Sequence, residues 1–196
     1  MISSPVPTRA EVSDVANAVL DGTDAVMLSA ESASGRYPVE TIEAMDRICI
    51  EAEQTQPISL EQDFLNRVFT GLDQSIAMGG LFTAFHLKVK AIATLTESGS
   101  TALWMSRLNC GVPIYALTSQ TQTRYRCALF RDVYPLMVKY VGHDREELLR
   151  EAEKVLVDNG VVKEGDLIVL TIGEPIGKAG GTNTMKIVRV GAQRRA

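Results

Sequence analysis

The residues with the clearest chemical potential form a short polar segment between an apolar run at 91–95 and a helical pattern. In order, the segment consists of Thr96, Glu97, Ser98, Gly99, Ser100 and Thr101. Hydroxyl groups around a glycine, between a strand end and a helix start, suit a phosphate because free backbone N–H groups and the helix dipole favour an anion. Capping of the helix by Ser98 or Ser100 would use the same residues without a ligand. The segment alone leaves both interpretations open.

A glycine-rich loop at 173–182 has the composition of a second phosphate-binding segment. Its candidate binding residues are Lys178, Gly180, Gly181 and Thr182, with Lys178 as a mobile cation and the glycines allowing close backbone approach. Because each of the two loops follows a predicted strand, we expect both at the carboxyl edge of one sheet, where such sheets bind ligands. The functional interpretation is a lid over a phosphorylated ligand. The alternative is a flexible hairpin without one.

Ser29 and Glu31 form a third candidate, directly after the apolar run 25–28. Barrel enzymes place their chemistry at the carboxyl ends of such strands, which makes a catalytic role for Ser29 one interpretation. A Ser/Glu pair in a polar loop is more often structural, and this segment offers no complete set of nucleophile, base and partner. The two histidines and three cysteines have no spacing typical of a metal site, and we expect the thiols to be reduced.

The first 59 residues are predicted to contain one strand between two helices. A capping box formed by Thr8 and Glu11 begins the first helix, and Pro38 lies near the first turn of the second. The wholly apolar run 25–28 between them is typical of a strand buried on both faces of a parallel sheet. This order is half of a repeating β/α unit that cannot close a core by itself, so we expect neighbouring elements beyond this segment.

The remainder of the chain is predicted to alternate between strands and helices. A long apolar-rich helix from Asp73 to Leu87 comes first. The predicted strands are 91–95, 113–118, 134–140, 166–172 and 184–190, and the helices between them are 102–108, 121–130 and 144–157. Only a loop joins the last two strands, so we expect that pair to be antiparallel. The pattern predicts a three-layer sandwich on a mostly parallel sheet.

Composition excludes two classes of partner. The chain has 196 residues and a formal net charge of −4, with no basic stripe that could neutralise a nucleic-acid backbone. It has no apolar run near the length of a membrane span and no signal peptide, so we expect a cytoplasmic protein without a membrane segment.

Several long runs closely resemble the pyruvate kinase family, and its bacterial type II members in particular. These runs are Pro7 to Gly22, Val26 to Glu31, Gly35 to Pro38 and Gly181 to Thr184. The resemblance implies that residues 1–53 are the C-terminal portion of a catalytic barrel, 54–60 a linker, and 61–196 the C-terminal effector domain. The expected fold is therefore α/β. It combines the last α-β-α portion of a (β/α)8 barrel with a three-layer α/β/α sandwich, whose mostly parallel five-stranded sheet has an antiparallel edge strand.

The resemblance also implies an enzyme. The family transfers a phosphoryl group from phosphoenolpyruvate to ADP, using Mg²⁺ or Mn²⁺ and often K⁺, and its members form homotetramers. Its metal-binding carboxylates, phosphate-binding arginine and catalytic lysine come from earlier barrel strands. We therefore expect no metal bound to this segment and no activity from it alone. Ser29 matches a family position at the periphery of the active site.

In the family, the loop 96–101 corresponds to the effector-phosphate pocket, and 173–184 to the loop that closes over it. Glu97 stands where members activated by fructose 1,6-bisphosphate can have a basic residue, and Ser100 stands where related loops often have arginine. Both departures favour a monophosphate such as glucose 6-phosphate, ribose 5-phosphate or AMP. The alternative is a purely structural domain that forms oligomers through strand 184–190 and helix Asp73–Leu87, without an effector.

Overall fold

The computed structural model describes residues 1–55, 68–108, 110–139, 144–177 and 180–192. The chain divides into two compact units, Met1–Pro57 and Ile58–Ala196. The division falls within the predicted linker 54–60, of which residues 56–60 lie outside the described ranges. The two units are described separately below.

The first unit contains three helices in its described part: α1 (Arg9–Leu20), α2 (Ala30–Ala33) and α3 (Pro38–Gln54). The predicted capping box is confirmed, since the Glu11 amide donates to Thr8 Oγ1 at 3.3 Å and the Thr8 amide donates to Glu11 Oε2 at 2.7 Å. The predicted position of Pro38 in the first turn of the second long helix is also confirmed. Helices α1 and α3 pack against each other and supply most of the buried residues of this unit.

The strand predicted at 25–28 is wrong for this chain. These residues form neither strand nor helix, and the side chain of Met27 is 88% exposed. A strand of this kind obtains its hydrogen bonds from neighbouring strands, and the described residues of the first unit contain none. The apolar pattern therefore indicates a strand only where neighbouring strands are present, and the described part of this unit contains no sheet.

The second unit is an α/β sandwich, as predicted. Its strands are β1 (Ala91–Leu95), β2 (Ile114–Thr118), β3 (Val133–Met137), β4 (Leu167–Gly173) and β5 (Thr182–Arg189). Its helices are α4 (Leu72–Leu87), α5 (Ser100–Ser106), α6 (Thr121–Cys127) and α7 (Arg145–Asp158). The sheet has the order β3-β2-β1-β4-β5, with β1 to β4 parallel and β5 antiparallel to β4 at the edge. The predicted antiparallel edge strand is therefore confirmed.

Two apolar clusters, one on each face of the sheet, make the three layers. Residues from α4, α5 and α6 pack against Ile92, Ile114 and Val169 on one face. Residues from α7 pack against Ala93, Leu170 and other side chains of alternate strand positions on the opposite face. Because successive strand residues point to opposite faces, a strand with apolar residues at every position requires a helical layer on both sides.

Candidate functional site

Both candidate loops begin where the order of strands in the sheet reverses. From β1 the chain continues outward to β2 and β3, and it then returns to β4 on the other side of β1. Strands β1 and β4 are parallel neighbours, with Thr94 paired with Thr171, so the loops that follow them leave the sheet side by side. Open α/β sheets bind ligands in the crevice at this switch point. The structure brings the two loops together there.

A buried hydrogen bond joins the two loops. Thr101 Oγ1 lies 2.7 Å from Thr182 Oγ1, and the two residues are only 1% and 5% exposed. The residues are 81 positions apart in sequence. Thr101 and Thr182 therefore connect the loops and do not present their hydroxyl groups to solvent.

A pocket lies between the loops at the carboxyl ends of β1, β2 and β4. Of the predicted binding residues, Thr96, Glu97, Ser100, Gly180 and Thr182 line it. Its lining mixes apolar and polar residues, the others being Leu95, Leu117, Thr118, Ser119, Val138, Leu148, Ile172, Gly173, Ile176 and Gly177. A concave site with apolar walls and a few convergent polar groups is typical of a small-molecule site.

The first loop is held by its own hydroxyl groups. The Gly99 amide donates to Thr96 Oγ1 at 2.9 Å, and Ser98 Oγ donates to Ser100 Oγ at 3.2 Å. Helix α5 begins at Ser100, with Gly99 as its N-cap residue and no side-chain capping bond. Ser98 Oγ accepts from the amide of Ser100, the first residue of the helix, at 3.4 Å, so Ser98 serves one of the free amides at the helix start. Both serines are half-buried; Ser100 lines the pocket, whereas Ser98 lies outside its lining and bonds to Ser100.

Helix α6 supports the first loop through residues that the sequence analysis missed. Thr123 Oγ1 donates to the Glu97 carbonyl at 2.6 Å, and Gln120 Nε2 donates to Glu97 Oε2 at 3.2 Å. Arg126 Nη1 donates to the Ser98 carbonyl at 3.4 Å. The sequence contained a signal for these contacts: residues 119–120 follow β2 at the edge of the sheet where the first loop follows β1, and helix α6 begins directly after them.

The second loop is anchored at its two ends. Asn183 receives a hydrogen bond from the Glu174 amide at its Oδ1 atom and donates from Nδ2 to the Glu174 carbonyl. Gly173 pairs with Thr182 at an irregularity in the ladder, which explains why β5 begins at Thr182, two residues before the predicted start. Gly181 is half-buried and Gly180 exposed, while the predicted cation Lys178 lies outside the described residues.

We predict that Gly173→Ala will disturb this hairpin. A Cβ atom at Gly173 would lie 2.9 Å from the Gly181 carbonyl carbon and oxygen, so backbone must move. Overpacking of this kind costs about 1–3 kcal/mol. Urea denaturation should show that loss of stability, and amide exchange should be faster at the start of β5. Gly79→Ala is the matched control because nothing lies within 4 Å of its added Cβ atom. Equal stability of the two variants would contradict the close approach.

Ser29 lies in the first unit, directly before the short helix α2. It is exposed; its amide donates to Glu31 Oε2 at 3.0 Å, and its carbonyl accepts a hydrogen bond from Ser32 Oγ. Hydrogen bonds from the Glu31 and Ser29 amides lower the pKa of the Glu31 carboxyl. The pair therefore starts a helix turn in this structure, and the catalytic role of Ser29 stays a prediction.

The described residues offer no ligand set for the metal ions expected of the whole enzyme. No group of three or more His, Cys, Asp or Glu side chains comes together within those ranges. The three cysteines are free thiols, and burial raises the pKa of Cys110 and Cys127. Among the helices that the structure describes, none is both long and apolar enough to cross a membrane.

A mostly parallel sheet with helices on both faces and a pocket at its switch point is typical of open α/β domains. Residues 74–188 match the family model described as "Pyruvate kinase, alpha/beta domain", and residues 1–42 match "Pyruvate kinase, barrel domain". The chain belongs to the pyruvate kinase family.

Comparison with curated proteins gives relatives of similar sequence over almost the whole chain. A pyruvate kinase of Buchnera aphidicola (subspecies Baizongia pistaciae) is 46% identical over 191 residues, and pyruvate kinase II of Salmonella typhimurium is 47% identical over 191 residues. Each alignment covers 97% of this chain and 40% of the relative. The chain therefore spans about 40% of the length of these relatives.

Proposed function

We propose that this chain is a segment of a pyruvate kinase that acts in glycolysis in the cytoplasm. The whole protein would transfer a phosphoryl group from phosphoenolpyruvate to ADP with Mg²⁺ or Mn²⁺ and K⁺. The support is the match to both family domains by a chain that covers 40% of its relatives. The resemblance places the metal-binding carboxylates and the catalytic lysine on strands outside this segment, so the segment alone would be inactive.

For the second unit we propose an effector site that binds the phosphate of a small phosphorylated metabolite. The observation that carries this proposal is the pocket formed by two loops that meet through the Thr101–Thr182 hydrogen bond. Thr96 and Ser100, each with a hydroxyl group, line it, and charge-assisted hydrogen bonds from such donors to a phosphate are the strong ones. Binding would order the second loop and shift the whole enzyme between less and more active states.

A monophosphate fits this pocket better than a bisphosphate. Glu97 is at the pocket wall, and Gln120 holds its carboxylate in place through the 3.2 Å hydrogen bond. A second phosphate beside a fixed carboxylate would be repelled, whereas sugar hydroxyl groups could donate to it. Glucose 6-phosphate, ribose 5-phosphate and AMP all meet this requirement.

The experiment is a calorimetric titration of the 196-residue chain with glucose 6-phosphate, with the Ser98→Asp variant for comparison. Ser98 is half-buried in the first loop, so a carboxylate there can remain hydrated and would repel the phosphate. Since like charges placed together cost several kcal/mol, we expect affinity to fall about thirty-fold or more. Thr101→Asp would be a poor test because Thr101 is 1% exposed, and a buried carboxylate would unfold the site.

Ser75→Asp is the control, since Ser75 is exposed on α4 and the substitution adds the same charge outside the first loop, whereas Ser98 bonds directly to the lining residue Ser100. It should bind like the wild-type chain. Undetectable binding of glucose 6-phosphate, ribose 5-phosphate and AMP to a folded wild-type chain would refute the effector site.

The second candidate function is subunit association, with the homotetramer of the family as the expected assembly. The described surface contains an edge strand, β5, on which Ile187 is 46% exposed, and α4 has the exposed side chains Phe82 and Leu87. Unpaired strand edges and exposed apolar side chains favour association. This function is separable from effector binding because Ser98→Asp should leave the association state unchanged.

A further inference from the structure

The candidate pocket lacks a cation among its described lining residues, although its proposed ligand is an anion. Glu97 is the charged residue in that lining, and its charge is of the wrong sign. Lys178 lies outside the described ranges. A phosphate dianion held by neutral donors beside a carboxylate would bind weakly, so a described cation near the rim becomes important.

Arg145 does not line the pocket but lies close in the chain, or in space, to residues that do. It is the first residue of α7, and Leu148, three positions later on the same helix, lines the pocket. Residues three apart are neighbours on a helix surface. Arg145 Nε lies 3.2 Å from Glu174 Oε1, and Glu174 directly follows Gly173, another lining residue. Arg145 therefore lies beside the start of the second loop, next to residues that line the pocket.

The ion pair of Arg145 with Glu174 is poorly made. The two side chains are 42% and 38% exposed, and pairs of such exposure contribute only about 0–1 kcal/mol. The Nε atom of Arg145 is itself buried and, although within ion-pair distance of Glu174, makes no hydrogen bond to the described residues. The Nε–H group of Arg145 is therefore a donor that Glu174 does not use.

Glu174 makes hydrogen bonds through its amide, its carbonyl and its carboxylate. Thr184 Oγ1 donates to its Oε2 atom at 3.2 Å, and the Asn183 side chain bonds both its amide and its carbonyl. The carboxylate therefore has a contact that does not depend on Arg145, with a hydroxyl group that is shared with Asn183 Oδ1. The Glu174 carboxylate would therefore compete with a bound phosphate for the guanidinium group of Arg145.

We propose that Arg145 binds the effector phosphate and that Glu174 is its competing counter-ion in the empty site. This inference rests on the effector site proposed above. The planar guanidinium can donate two parallel hydrogen bonds to a phosphate. Its present contact with Glu174 is a single ion pair at Nε without a hydrogen bond, so the contact with a phosphate would be stronger. Because Glu174 belongs to the second loop, transfer of Arg145 to the phosphate also releases an attachment of that loop to α7. Ligand binding and rearrangement of the loop are thereby coupled.

The test compares Arg145→Gln, Glu174→Gln and the double variant by calorimetric titration with glucose 6-phosphate and, separately, with inorganic phosphate. Arg145→Gln should weaken both ligands about ten-fold or more, since a charge-assisted bidentate contact is lost. Glu174→Gln should tighten both ligands a few-fold, and the double variant should behave like Arg145→Gln. Arg150→Gln is the matched control: it removes an arginine of α7 whose Nε atom bonds the Glu146 carbonyl.

The outcomes separate this inference from the effector site itself. If the folded wild-type chain binds none of the candidate metabolites, the effector site fails. If wild type binds and Arg145→Gln binds equally well, the role of Arg145 is overturned. If Arg145→Gln binds weakly but Glu174→Gln is no tighter than wild type, the competition by Glu174 is overturned.

Arg145→Lys covers the case in which the glutamine variant does not fold. It keeps the positive charge but loses the bidentate geometry, so we expect an affinity below that of wild type that is weakened more steeply by salt. Wild-type affinity and salt dependence in a folded Arg145→Lys variant would overturn the bidentate contact.

Discussion

Gly99→Ala is expected to lower the free energy of unfolding of the second unit by about 2–4 kcal/mol. Gly99 has a φ of 84°, in the left-handed region that costs a residue with a Cβ atom about 1–2 kcal/mol. The added Cβ atom would also lie 2.8 Å from Cys127 Sγ, and Cys127 is fully buried. The first loop and α6 would have to separate, so the proposed effector affinity should be lost as well. Urea denaturation measures the first effect and calorimetric titration the second.

Two further variants separate the effect of the positive φ at Gly99 from that of the contact with Cys127 Sγ. Gly79→Ala, in the interior of α4, should be neutral or stabilising by up to about 1 kcal/mol, since alanine is the better helix former. In a Gly99→Ala background, Cys127→Ala removes the contact with Sγ but leaves the positive φ. It should therefore cost less than it does in the wild-type chain. A Gly99→Ala variant as stable as wild type would show that the loop does not have this geometry in solution.

Thr101→Val is expected to destabilise the second unit by about 1–3 kcal/mol, the cost of leaving one buried hydroxyl group unpaired. The Thr182 hydroxyl would lose its partner at 2.7 Å in a site that is 5% exposed. Thr182→Val should cost a similar amount for the reciprocal reason. The double variant should recover much of the loss, because removal of both partners leaves no unpaired group. Urea denaturation of the wild type, the two single variants and the double variant gives the coupling energy between the two hydroxyl groups.

The same four chains test whether the Thr101–Thr182 contact matters for the proposed site. If this hydrogen bond connects the loops, each single variant should also bind glucose 6-phosphate more weakly than wild type. Thr121→Val, at the exposed start of α6, is the control for a threonine change near the sheet edge. Additive effects of the two single changes on stability would mean that the two hydroxyl groups do not interact.

Much of the fold follows from local patterns. The capping box of Thr8 and Glu11, the proline in the first turn of α3 and the apolar strands β1, β2 and β4 occur within a residue or two of their predicted positions. Periodicity and capping depend on neighbours in sequence, so they can be recognised without coordinates. The alternation of strands and helices likewise predicted that two polar loops would leave one edge of a parallel sheet.

Only the tertiary structure decided which residues meet. The run 25–28 has the composition of a buried strand but makes none, because a strand requires hydrogen-bond partners that its own sequence cannot provide. The strand order places β4 beside β1, and Thr101 meets Thr182, 81 residues later in the chain, because the segments that follow these two strands are neighbours. The bonds from α6 to Glu97 and the approach of Arg145 to Glu174 also depend on that order. The sequence by itself determined the elements and the edge at which the polar loops lie. Contacts between distant side chains were decided by the packing of the sheet, because long-range neighbours leave no local pattern in the chain.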